Sequence, residues 1–98
     1  MSQPMSKSQA QRTVTIASSV GLHARPAALF VQAATATGLP VQISKAGEEP
    51  VDARSILGVM ALGAKHGEEV LLTAEGDGAD AALDDLVALL SRDLDAEE

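Results

Sequence analysis

Glu69-Val70-Leu71-Leu72-Thr73-Ala74 alternates with a two-residue period that places Val70 and Leu72 on one face. That is the pattern of a half-buried strand. Gly76 and Gly78 then mark a turn. Beyond it Leu83, Leu86, Val87 and Leu90 recur at i, i+3, i+4 and i+7, the apolar stripe of a helix. Asp80 is expected to cap that helix, and Asp84 and Asp85 to lie near its positive end. A strand turning directly into a helix that can cover it indicates a mixed α and β domain.

The rest of the chain repeats this alternation. Thr13 to Ala17 alternates polar and apolar, as a strand does, and Ser18 to His23 reads as a loop with Gly21 permitting a tight backbone. Pro26 suits a first helical turn, where its missing N–H costs nothing. Ala27 to Thr37 follows as a helix with Phe30, Val31 and Ala34 on one face, stopped by Gly38. Val41 to Ser44 alternates again. Gly47 lies in the next turn, and Pro50-Val51-Asp52 is a short strand suited to an edge. Ser55 caps a short helix reaching about Leu62, ended by Gly63; Gly58 inside it costs about 1 kcal/mol relative to Ala. The order β-α-β-β-α-β-α contains two split β-α-β units. It implies an α+β, ferredoxin-like open-faced sandwich: one four-stranded antiparallel sheet with three helices on one face.

Ninety-eight residues allow one domain with one modest core. Residues 1–11 are polar and aperiodic and read as a disordered N-terminal tail; 12–92 form the folded domain, and 93–98 an acidic C-terminal end. Seven basic against fourteen acidic residues give a net charge of −7. That balance argues against nucleic-acid binding and against docking on anionic lipid. Phe30 is the only aromatic residue, so base- or sugar-stacking surfaces are not expected. With no Cys and two His, thiol chemistry is excluded and no metal site or cofactor is expected. No apolar run approaches a membrane span and no signal-peptide profile opens the chain, so a cytoplasmic location is expected.

Gly21-Leu22-His23-Ala24-Arg25-Pro26-Ala27-Ala28 is the segment with chemical content. His23 immediately precedes a helix whose first N–H groups have no partner within it. Those donors and the helix dipole suit an anion, so a phosphoryl group on His23 would meet ready-made donors. The same field disfavours imidazolium, and the neutral ring is the nucleophile. Arg25 adds a fixed planar cation that hydrogen-bonds phosphate oxygens. Nucleophile, oxyanion donors and cation together describe a phosphoryl acceptor. Read as residue types alone, the same histidine also fits an ordinary helix-start residue of a soluble domain.

The run G-L-H-A-R-P-A-A resembles the active-site signature of the HPr family, the histidine-containing phosphocarriers of the phosphoenolpyruvate:sugar phosphotransferase system. Ala53-Arg54-Ser55-Ile56-Leu57-Gly58-Val59-Met60-Ala61-Leu62-Gly63 is similar to that family's regulatory-serine helix, in a Gram-positive version. The resemblance spans about residues 12–92 and implies an HPr-like open-faced β-sandwich. It implies that His23 takes a phosphoryl group from enzyme I on Nδ1 and passes it to enzyme IIA domains, with Arg25 stabilising the moving charge. The chain would then be a substrate of two transferases rather than an enzyme. Ser55 would be the serine phosphorylated by HPr kinase/phosphorylase, which opens a link to a transcriptional regulator. Ala24, Ala28, Arg54, Ile56, Leu57 and Met60 would form the docking surface, and a monomer is the family expectation.

Several positions depart from the family pattern. Val20 replaces a polar residue, and Ala24, Ala28 and Gly58 occupy positions that many relatives give to basic ones. Arg25 and Arg54 are left as the nearby charges, so steering toward an acidic partner is expected to be weak. Ser55 and Leu62 also fit purely structural roles, as cap and core. His66, in Ala64-Lys65-His66-Gly67, reads as a solvated turn residue, and Glu48-Glu49 and Glu68-Glu69 as solvated loop charges. Alternatives to the sugar carrier are a paralogue with a mainly regulatory or nitrogen-linked role, and a small ligand-binding module. A hydrolase is disfavoured because no base or metal accompanies His23.

Overall fold

The computed structural model of the chain describes residues 9–17, 19, 21–22 and 24–92. Among the described residues seven elements follow in order: β1 (Gln9–Thr15), α1 (Ala24–Ala36), β2 (Val41–Lys45), β3 (Val51–Asp52), α2 (Ile56–Leu62), β4 (Glu69–Glu75) and α3 (Ala79–Leu90). One four-stranded sheet runs β1-β4-β2-β3, with every neighbouring pair antiparallel. Both split β-α-β units are realised, since β4 lies between β1 and β2, and β2 lies between β3 and β4. This is the expected α+β open-faced sandwich.

The two-residue period sorts the sheet into faces. Ala10, Val14, Val41, Ile43, Val70, Leu72 and Ala74 are all buried on one of them. The register stacks Ala10 on Ala74, Val14 on Val70 and Ile43 on Leu72. Phe30 and Ala34 of α1, Val59 and Leu62 of α2, and Leu83, Leu86 and Leu90 of α3 complete a single core on that face. The other face carries Gln9, Gln11, Thr13, Thr15, Gln42, Thr73 and Glu75 and is left open.

Several boundaries differ from the sequence reading, four of them with consequences. β1 starts at Gln9, so residues 9–11 belong to the sheet and not to a tail; they pair with Glu75, Ala74 and Thr73, and Ala10 is buried. Their polar character reflects the open face. Ile16 and Ala17 leave the ladder: the Ile16 N–H donates to the Glu68 carbonyl and the Ala17 N–H to that of Leu90. Helix α1 begins at Ala24 rather than Ala27, which puts Pro26 inside the first turn, where a missing N–H is harmless. Helix α3 is capped by Gly78 at φ 85° and not by Asp80. Asp80 and Asp84 instead accept from the Arg12 guanidinium of β1, each at 3.1 Å, and because the helix begins at Ala79 only Asp80 lies in its first turn, with Asp84 and Asp85 beyond the positive end. Met1 to Ser8 and 93–98, expected as tail and acidic end, lie outside the described residues.

Candidate functional site

The signature segment sits where the chain turns from β1 into α1. His23 and Val20 lie outside the described residues, as does the side chain of Ala24; their neighbours define the setting. Gly21 has φ 72°, the left-handed region natural to glycine. Leu22 is fully buried, and its N–H donates to the Ala64 carbonyl at 2.8 Å. Helix α1 starts at Ala24 with no acidic residue in its first turn, so nothing there offsets its partial positive charge. Arg25 is exposed in that turn, while Pro26 and Ala27 are buried beneath it. By chain order His23 occupies the single position between a pinned Leu22 and the start of a helix.

The second segment forms as its sequence indicates. Ser55, at φ −105° and ψ 115°, caps α2, and its hydroxyl accepts from the Gly58 N–H at 3.1 Å. Gly63 closes the helix at φ 70° in the left-handed region. Leu57 is 78% exposed and Ile56 37%, which makes them the exposed large apolar side chains of the described residues. Met60 is different: it is half-buried and packs on the core, so it borders an apolar patch more than it forms one. Ala28 is half-buried on α1, and α1 packs against α2, which brings Arg25 and Ala28 onto the helix neighbouring Ile56 and Leu57.

Arg54 is not a loose cation beside this site. Its backbone N–H and its Nε donate to Asp52 Oδ1 at 2.8 and 3.2 Å, and its Nη2 reaches Oδ2 at 3.4 Å. The Arg54 side chain, and then its backbone N–H, hold the Asp52 carboxyl below its ordinary pKa. Likewise Glu68 is not a simple solvated charge. Its Oε1 accepts the Lys65 N–H at 2.8 Å and lies 3.6 Å from Lys45 Nζ. The Lys65 N–H is the main reason that this carboxyl is also held low. His66 is exposed.

A concavity of about 220 Å³ opens on the uncovered side of the sheet, lined by Gln9, Gln42, Asp52, Arg54 and Thr73 among others. None of its lining residues belongs to α1 or α2, so it is separate from the signature segment. Among the described residues no three His, Asp or Glu side chains cluster as metal ligands, and no helix is long and apolar enough to cross a membrane. What the sequence reading missed is the role of the turn after α2. Ala64 reaches back to Leu22, a backbone contact that leaves no mark in residue type apart from Gly21.

Residues 10–92 match a family model described as the PTS HPr component phosphorylation site. The chain is 51% identical over 86 residues to a phosphocarrier protein HPr of Streptomyces coelicolor, covering 88% of this chain and 92% of that one. It is 40% identical over 84 residues to the HPr-like protein Crh of Bacillus subtilis, covering 86% and 98%. A crystal structure of HPr from Thermoanaerobacter tengcongensis superposes with a TM-score of 0.83 at 40% identity, covering 91% of this chain and 99% of that one.

Proposed function

The chain belongs to the HPr family of phosphocarrier proteins of the phosphotransferase system, and on that footing we propose that it carries phosphoryl groups on His23. The observation that supports this most directly is local. The G-L-H-A-R-P-A-A run lies across the start of α1, with Arg25 exposed in a first turn free of acidic residues. In the forward step the lone pair on Nδ1 of a neutral His23 attacks phosphorus of phospho-enzyme I. The N–P bond forms as the bond from phosphorus to enzyme I breaks, and enzyme I keeps that electron pair. The reverse geometry delivers the group to an enzyme IIA domain. Arg25 and the N–H groups of the first turn share the charge on the phosphoryl oxygens. Both partners must reach the same nitrogen, and a site at the end of an exposed helix permits it. No base or cofactor is required of this chain, which acts in the cytoplasm as a monomeric substrate of two transferases.

The test is intact-mass spectrometry after incubation with enzyme I, Mg²⁺ and phosphoenolpyruvate. One acid-labile phosphoryl group is expected, absent in His23→Ala. Arg25→Ala is expected to accept it more slowly, by up to about two orders of magnitude. A His23→Ala protein that is phosphorylated at the normal rate would refute the assignment.

Ile56 and Leu57, together with Ala24, Ala28, Arg54 and Met60, are proposed as the docking surface, because exposed apolar side chains on the helix packed against α1 suit partner contact. Ser55, directly before them, is proposed as a regulatory phosphorylation site. Phosphate there joins a helix start and leaves the fold intact, but places negative charge against the patch. Ser55→Asp is therefore expected to keep its thermal stability and to raise the KM of enzyme I for this protein. An unchanged KM would remove the regulatory role.

A mainly regulatory paralogue is the second reading, favoured by the similarity to Crh. The higher identity to a phosphocarrier, 51% against 40%, together with the presence of His23, favours the carrier.

A further inference from the structure

The chain from Ile16 to Leu22 leads directly to His23, and one short segment holds both of its ends. At Ile16 the N–H donates to the Glu68 carbonyl, and the Ile16 carbonyl accepts the Gly67 N–H, both at 2.9 Å. At Leu22 the N–H donates to the Ala64 carbonyl at 2.8 Å. The approach is close: a Cβ on Gly21 would lie 2.5 Å from the Ala64 oxygen and 2.9 Å from Lys65 Cα, so the two backbones touch. Whatever fixes residues 64–68 therefore fixes the path into the acceptor position. Two reciprocal bonds close that segment. The Lys65 N–H donates to Glu68 Oε1 at 2.8 Å, and the Glu68 N–H donates to the Lys65 carbonyl at 3.0 Å.

We propose that Glu68 is a positioning residue for phosphoryl transfer, acting through the Lys65–Glu68 turn and the Ala64 carbonyl that pins Leu22. It does not touch the phosphoryl group, and the role rests on the phosphocarrier reading. Transfer depends steeply on placement, since an error of about 1 Å in a reacting atom costs up to about 100-fold in rate. A turn that loosens without unfolding will spread the position of the residue beyond Leu22. Docking through Ile56 and Leu57 is unaffected, because those side chains stand on a different element. The ion pair of Glu68 with Lys45 is long, at 3.6 Å, and partly exposed, so the side chain's main partner is the Lys65 N–H.

The experiment compares wild type, Glu68→Ala and Glu68→Gln as substrates of enzyme I, with rates normalised to the folded fraction. Gln keeps an oxygen that accepts the Lys65 N–H and removes the charge; Ala removes both. Glu68→Ala is expected to lower kcat about three- to tenfold with KM unchanged, and Glu68→Gln to stay within about twofold of wild type. Amide exchange at Leu22 is expected to speed up in Glu68→Ala and not in Glu68→Gln. A wild-type kcat for Glu68→Ala overturns the proposal. So does a Glu68→Gln protein as slow as Glu68→Ala, because charge rather than the turn is then responsible. If Glu68→Ala does not fold, Glu68→Asp replaces it; its shorter arm is expected to slow transfer, and a wild-type rate overturns the role. A folded wild-type protein that accepts no phosphoryl group at all overturns the carrier reading itself, and the positioning role with it.

Discussion

Asp52 shows how much one side chain does at a junction. Its carboxylate gathers three donors from Arg54 and so ties the end of β3 to the approach of α2. Because those bonds require the ionised form, the fold holds this pKa low, chiefly through the Arg54 side chain. The sign follows from linkage: the stabilisation is complete above the ordinary aspartate value of about 4 and disappears as pH falls through the lowered value. Thermal melts of wild type and Asp52→Asn are therefore expected to differ at pH 7 and to draw together as pH falls below the ordinary aspartate value. Parallel pH profiles would show that the cluster contributes nothing. Arg54 read alone is a basic residue near a candidate site. Only the turn geometry shows that its charge is committed two residues back, to Asp52.

At the scale of elements, the start of α2 was legible and that of α3 was not. Ser55, Leu62 and Gly63 perform the start, core and stop that their residue types suggest, because each acts within a few residues of itself. Asp80 has the right chemistry for a cap, yet Gly78 takes that place while Arg12 claims Asp80 and Asp84 from across the fold. The start of β1 was hidden for a similar reason: Gln9 to Gln11 are strand residues only because Thr73 to Glu75 pair with them. Helix α2 also carries a correctable weakness. A Cβ at Gly58 would meet the Ser55 side chain and Val51 at 3.5 Å, an ordinary contact. Gly58→Ala is thus expected to stabilise the domain by about 1 kcal/mol in urea unfolding. A loss of stability would mean that the Ser55 cap does not tolerate the methyl group.

Across the whole molecule the same division holds. The signature was legible because its residues are contiguous, and the core because periodicity declares it: Phe30, Leu72, Leu83 and Leu86 are all fully buried. The support beneath the signature was not legible, since Leu22 and Ala64 meet through backbone atoms that any residue possesses. Strand order was legible through the two split β-α-β units, and it has a consequence for the birth of the protein. The strand that joins the sheet, β4, is the last to be made, because β1 and β2 both pair with Glu69–Glu75. While the ribosome is still adding the first two-thirds of the chain, β1 has no neighbour and β2 has only the two-residue β3. Such non-local pairing cannot reward its loop-closure entropy until both partners exist. Vectorial synthesis therefore delivers a nearly complete chain before the sheet closes, and Ile16 and Leu22, bonded to residues that emerge just ahead of β4, reach their final places as one of the last events of folding.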